Sequence, residues 1–119
     1  MYSAQLLDHF QNPRNAGELI DADANAEVQN PVCGDILRIS LKKSAGKIVR
    51  VQFKAKGCVA SIACASALTE LVQGKTIDEA KSIRQEHIRA AVGGLPPASN
   101  HAAQLALDAL SSALKLSVR

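Results

Sequence analysis

The sequence predicts an α+β domain, a small antiparallel sheet with helices packed over one face in a two-layer sandwich. Three observations carry that prediction. In "DILRISLKK", Leu37, Ile39 and Leu41 alternate with Arg38, Ser40 and Lys42, the period-2 pattern of a strand with one buried face. In "IVRVQFKAK", Val49, Val51, Phe53 and Ala55 alternate with Arg50, Gln52, Lys54 and Lys56. The Gly-containing turn "SAGK" between the two runs makes them a hairpin with one buried and one wet, basic face. After Gly57-Cys58 the period changes from two to helical, and helical segments then follow one another. Strands first and helices afterwards is the order of an α+β fold.

The remaining elements follow in chain order. "SAQLLDHF" reads as a short amphipathic helix that Ser3 can cap, with Leu6, Leu7 and Phe10 on one face; Asn12-Pro13 stops it and "NPRNAG" turns the chain. Residues 18–30 are polar and irregular, with an edge strand near "AEVQN". "VASIACASALTELVQG" is a buried, small-residue helix ending at Gly74. "TIDEAKSIRQEHIRAAVGG" opens on Thr76 and Glu79 in capping-box spacing and closes at Gly93-Gly94. "HAAQLALDALSSALKL" sets Ala102, Leu105, Ala106, Ala109, Leu110, Ala113 and Leu114 on one stripe.

Composition narrows the function. The 119 residues are 47% apolar and fit one domain spanning 1–119, with a single core. Aromatics are only 3% and the net charge is a mild +3. Basic residues therefore lack the aromatic platforms that single-stranded nucleic acid wants, and nucleic acid is not an expected partner. No apolar run approaches the length of a membrane span, and the N-terminus lacks the pattern of a signal peptide, so a cytoplasmic protein without membrane contact is expected. Three cysteines, an odd number, argue against a disulfide framework and leave thiols for metal or sulfur chemistry, or for the core.

Candidate ligands lie where elements join. Cys33 and Asp35 belong to "NPVCGD", just before the first hairpin strand, and Cys58 belongs to "KGCVAS", just after the second. Two antiparallel strands of similar length bring the start of the first beside the end of the second, so these residues meet at one end of the sheet. Cys58 also stands at a helix mouth, where partial positive charge suits a thiolate. His101 opens the last helix, and there the dipole favours the neutral imidazole that coordinates metal. Two sulfurs, an oxygen and a nitrogen form a plausible tetrahedral set. The competing reading is that isolated cysteines in a small domain are inert core residues. It suits Cys64, which sits mid-helix among alanines and serines, better than it suits cysteines at strand ends. His9 and His87 read as helix-surface or boundary residues.

Taken together, "HFQNPRNAG", "NPVCGD", "KGCVASIACAS", "LTELVQGKTIDEA" and "LPPASNHAAQLALDAL" resemble the IscU/NifU-type scaffolds of iron–sulfur cluster assembly (SUF, ISC or NIF type) over nearly the whole chain. The resemblance implies a mostly antiparallel three-stranded sheet covered by helices. It implies a non-catalytic scaffold whose exposed site takes iron, and sulfur delivered as persulfide by a cysteine desulfurase. That site holds a nascent [2Fe–2S] cluster for transfer to apo iron–sulfur acceptor proteins, and zinc can occupy it too. Cys33, Asp35, Cys58 and His101 match family ligand positions. The short spacing before Leu95-Pro96-Pro97 is closer to the IscU branch than to the zinc-carrying SufU branch. Two departures stand out. The family's third cysteine, directly after the histidine, is Ala102 here. The chaperone-read Leu-Pro-Pro-Val-Lys is "LPPAS", with Ser99 where lysine would be. The resemblance thus leaves open a zinc-bound or degenerate paralogue that acts as a sulfur relay or regulates a desulfurase, and a carrier using Cys58 or Cys64 as a persulfide-bearing nucleophile. A homodimer around a shared cluster is compatible with it.

Overall fold

The structure, a computed structural model, describes residues 1–31 and 34–117. Its elements are α1 (Ala4–Gln11), β1 (Ala24–Gln29), β2 (Ile36–Ser44), β3 (Lys47–Lys56), α2 (Val59–Val72), α3 (Ile77–Lys81), α4 (Gln85–Ala91), a 3₁₀ turn (Pro97–Ser99) and α5 (Asn100–Ser117). The strands form an antiparallel sheet in the order β1-β2-β3. The α+β architecture expected from the sequence is the one found, with α5 lying against β1 and β2, and α2 against β3.

Sheet register follows from matching apolar rows. Ala26 pairs with Ile39 and Ile39 with Phe53; Ala24 pairs with Leu41 and Leu41 with Val51. All six are buried, since each row faces the helices and a one-residue slip would turn it to water. One expected inward residue is corrected. Val49 is 43% exposed, and Ile48 is fully buried in its place. Pairing shifts between Lys42 and Lys43, so that Lys43 faces Ile48. This bulge reverses the alternation just after the turn, which a strict period-2 reading cannot see. The turn itself places Ala45 and Gly46 at φ 53° and 77°, the two positive values that a tight hairpin with the right strand twist requires.

The helices mostly keep their expected bounds and differ in two places. All seven residues of the predicted α5 stripe are buried. The segment read as one helix from Thr76 is two. The Thr76–Glu79 capping box starts α3 as expected, but Arg84 is extended, with φ −118° and ψ 168°. His87 Nδ1 accepts the Arg84 backbone N–H at 2.8 Å and so restarts the helix as α4, an N-terminal role for a residue that remains exposed. In α1, Ser3 caps as expected, its side chain accepting from the Leu6 N–H at 3.0 Å. Leu7, expected on the apolar face, is 38% exposed, while His9 is 7% exposed and faces α2. His9 is therefore no surface residue. Its Nδ1 lies 2.8 Å from Ser66 Oγ and its Nε2 3.6 Å from Glu70, a polar partner for each nitrogen.

Candidate metal centre

The sheet end where the candidate residues were expected to meet is closed by backbone. Ile36 pairs with Lys56, so Asp35 and the pair Gly57-Cys58 continue side by side off the last rung. Across the β1–β2 connection the Asn30 N–H donates to Asp35 O and the Gly34 N–H to Asn30 O, both at 2.8 Å. Gly34 takes φ 77° there, a conformation that costs a glycine little. Cys58 is the N-cap of α2, and His101 is the second residue of α5. Two strand ends and two helix starts thus converge.

Asp35, Cys58 and His101 bring one donor atom each to within 4.8 Å of one another. Cys58 Sγ is 3.3 Å from Asp35 Oδ2 and 4.0 Å from His101 Nε2, and His101 Nε2 is 3.7 Å from Asp35 Oδ2. Donors on a tetrahedral ion at ordinary Zn–S, Zn–N and Zn–O lengths stand about 3.3–3.8 Å apart. The two distances to Asp35 fall in that range, and the Cys58–His101 distance of 4.0 Å is slightly longer. Asp35 is buried, while Cys58 and His101 are half-buried, so the corner opens to solvent on its sulfur and nitrogen side. Cys33, the fourth member of the expected set, lies outside the described residues.

Two further residues shape the corner, and the motif reading missed both. A Cβ on Gly57 would lie 2.5 Å from Asp35 Cγ and Oδ1, so the carboxylate fills space that only glycine leaves open. Ser61 is 3% exposed; its hydroxyl donates to Asp35 Oδ2 at 2.6 Å and lies 3.3 Å from Cys58 Sγ. The available signal was position: Ser61 follows a capping residue by three in "CVAS", which sets its side chain in the first helical turn beside the cap.

Cys64 and Ala102 fall on the other side of the fold's logic. Cys64 is fully buried, and desolvation, with Cys58 adding to it, pushes its thiol up to about 12. A thiol so held is protonated at neutral pH and shielded from solvent, which fits the core position that its place mid-helix suggested. Ala102 is 1% exposed and belongs to the main core.

The fold and the corner define a class: small α+β proteins that present a mixed sulfur, oxygen and nitrogen donor set at one end of a three-stranded sheet. The chain belongs to the NifU-like N-terminal domain family, whose pattern matches residues 1–116. It is 46% identical over 114 residues to the iron–sulfur cluster assembly scaffold protein IscU 1 of Archaeoglobus fulgidus, covering 96% of this chain and 74% of that protein. It is 41% identical over 116 residues to the scaffold protein IscU of Aquifex aeolicus, with the same coverage of 96% and 74%. Among solved structures, the N-terminal part of a nitrogen-fixing NifU-like protein from Brucella abortus superposes with a TM-score of 0.80, covering 98% of this chain and 93% of that one. At 21% identity that likeness speaks to the fold. Among the described residues, no helix is long and apolar enough to cross a membrane.

Proposed function

We propose that residues 1–119 form a single scaffold domain that binds iron and sulfide as cargo at the Asp35–Cys58–His101 corner. The nascent [2Fe–2S] cluster is then passed to apo-acceptor proteins. The observation that carries this reading is the donor spacing, which suits a tetrahedral ion after a shift of a few tenths of an ångström between Cys58 and His101. Support comes from the relatives of 46% and 41% identity that are named cluster assembly scaffolds. In this reading Cys33 supplies a second thiolate, and a cysteine desulfurase is the partner that delivers sulfur. Cys58 gives up its thiol proton to solvent as the ion binds, and His101 offers Nε2. Asp35 is the weak member of the set, since carboxylate oxygen holds iron–sulfur iron less firmly than thiolate does. That weakness suits a site that must release what it holds. The domain turns over no substrate of its own.

The test is anaerobic reconstitution with iron, cysteine and a desulfurase, followed by iron, zinc and acid-labile sulfide analysis. A visible-region cluster spectrum that disappears in Cys58→Ser is the expected result; a chain that takes up no iron or sulfide overturns the reading.

A second reading has its own observation. Ala102, where the resemblance to the family places its third cysteine, is packed in the core. A zinc-bound or degenerate paralogue that relays sulfur or regulates a desulfurase needs no thiol there. Stoichiometric zinc that resists replacement by a cluster decides for it. So does a large rise in cluster yield on Ala102→Cys, which would mark the parent chain as limited by the missing thiol.

A further inference from the structure

We propose that Ser61 is a positioning residue for the metal cargo, holding the Asp35 carboxylate in the orientation that lets Asp35 and Cys58 bind the same ion. The inference rests on the metal-site reading above and adds to it a residue outside the ligand set. Asp35 is gripped at both oxygens. On the Oδ1 side the Gly57 backbone approaches so closely that a Cβ there would overlap the carboxyl group. On the other side, Ser61 Oγ donates to Oδ2 at 2.6 Å. Oδ2 is also the oxygen 3.3 Å from Cys58 Sγ and 3.7 Å from His101 Nε2, so the serine bond sets the oxygen that faces both other donors. The backbone of Asp35 is held separately, through the Asn30 N–H, so the Ser61 bond acts on the orientation of the side chain.

Packing gives no reason for a hydroxyl at this place. Of the neighbouring inward residues of α2, Ala60, Ala63, Cys64, Ala65 and Ala67 are each at most 1% exposed and carry no oxygen, while the fully buried Ser66 has its hydroxyl engaged with His9 and the Arg14 N–H. Alanine would fill the volume of Ser61 almost as well. A buried hydroxyl costs stability unless it is hydrogen-bonded. This one is bonded to the carboxylate oxygen that faces the other donors. In the metal-free chain, Cys58 S–H also points at Oδ2. When the ion replaces the thiol proton, that contact is lost and the Ser61 bond persists. The ligating carboxylate therefore keeps a hydrogen-bonded partner behind it, and removal of such partners elsewhere costs about 10–100-fold in metal affinity.

The experiment is a Co(II) titration of the full chain, read by the thiolate-to-cobalt absorption, for the wild type and Ser61→Ala, each also in the Asp35→Asn background. Thermal unfolding of the metal-free proteins runs alongside. Expected is a roughly 10–100-fold weaker Co(II) affinity in Ser61→Ala, a metal-free chain that melts somewhat lower but is still folded at the titration temperature, and no further weakening when Ser61→Ala is added to Asp35→Asn. Equal affinity in wild type and Ser61→Ala overturns the inference, and so does an equal loss in both backgrounds, which would mark Ser61 as merely structural. If Asp35→Asn binds too weakly to titrate, Ser61→Thr decides: restored affinity supports the role, and affinity as low as that of Ser61→Ala removes it. A wild-type chain that binds no Co(II) at all fails the metal-site reading itself.

Discussion

Cys58 and Cys64 sit on the same helix and have opposite chemistry because their surroundings differ. Cys58 caps α2 beside Asp35, Ser61 and His101, whereas Cys64 has no exposed surface and a thiol pushed up to about 12. The expected outcome is differential alkylation. Iodoacetamide on the native, metal-free chain labels Cys58, and peptide mapping finds Cys64 labelled only after denaturation. Equal labelling of both would return Cys64 to the list of candidate sulfur carriers. At the same scale, Gly57→Ala drives a Cβ into Asp35 and should weaken Co(II) binding at least as much as loss of the Ser61 hydroxyl, read by the same titration. The candidate donors Asp35, Cys58 and His101 and their junction positions were legible in the sequence. The grip on Asp35 was not, because Gly57 and Ser61 act by absence of a Cβ and by a hydrogen bond that only the packed corner brings about.

The hairpin and α1 each carry a local cost that can be measured. Ala45 adopts φ 53° in the β2–β3 turn, where an L side chain is strained by about 1–2 kcal/mol and glycine is not. After the greater chain entropy of glycine is subtracted, Ala45→Gly should stabilise the fold by about 0.5–1 kcal/mol, seen as a higher urea midpoint at unchanged m-value. Helix α1 is docked through His9. Desolvation first, and then the Arg14 guanidinium, lower the His9 pKa below its ordinary value of 6.5, while Glu70 and Asp8 oppose them. The unfolded chain therefore binds this proton more readily than the folded one. The stability contributed by neutral His9 is complete above about pH 6.5 and is lost as pH falls through the lowered value. Thermal midpoints should drop as pH falls below about 6.5, and His9→Gln, which keeps a polar group toward Ser66, should flatten that slope. Capping boxes and stripes made the helix limits legible. His9 escaped because an eight-residue helix offers too few turns to decide which face is buried.

For the whole molecule, candidate donors drawn from the β1–β2 connection, the start of α2 and the start of α5 mean that the corner exists only in the folded chain. An ion bound there favours the folded state by mass action, about 2.7 kcal/mol at one hundred times the dissociation constant. Zn(II) should therefore raise the thermal midpoint of the wild type in a concentration-dependent way, and the rise should vanish in Cys58→Ser. A midpoint that does not move with zinc would show that the three donors do not act together.

The sequence by itself determined the α+β class, the hairpin, the α5 stripe and the junctions at which Asp35, Cys58 and His101 stand. Each of these rests on local periodicity or on residue types beside a turn, and such signals reside within a few neighbouring positions. Only the tertiary structure decided that Ile48 and not Val49 turns inward, that the segment after Thr76 breaks at Arg84, and that His9 is buried. It also decided that Ser61 and Gly57 hold the carboxylate from two sides. Those outcomes depend on register, on how one element is seated against another, and on distances of a few ångströms between residues far apart in the chain. No local pattern encodes that information.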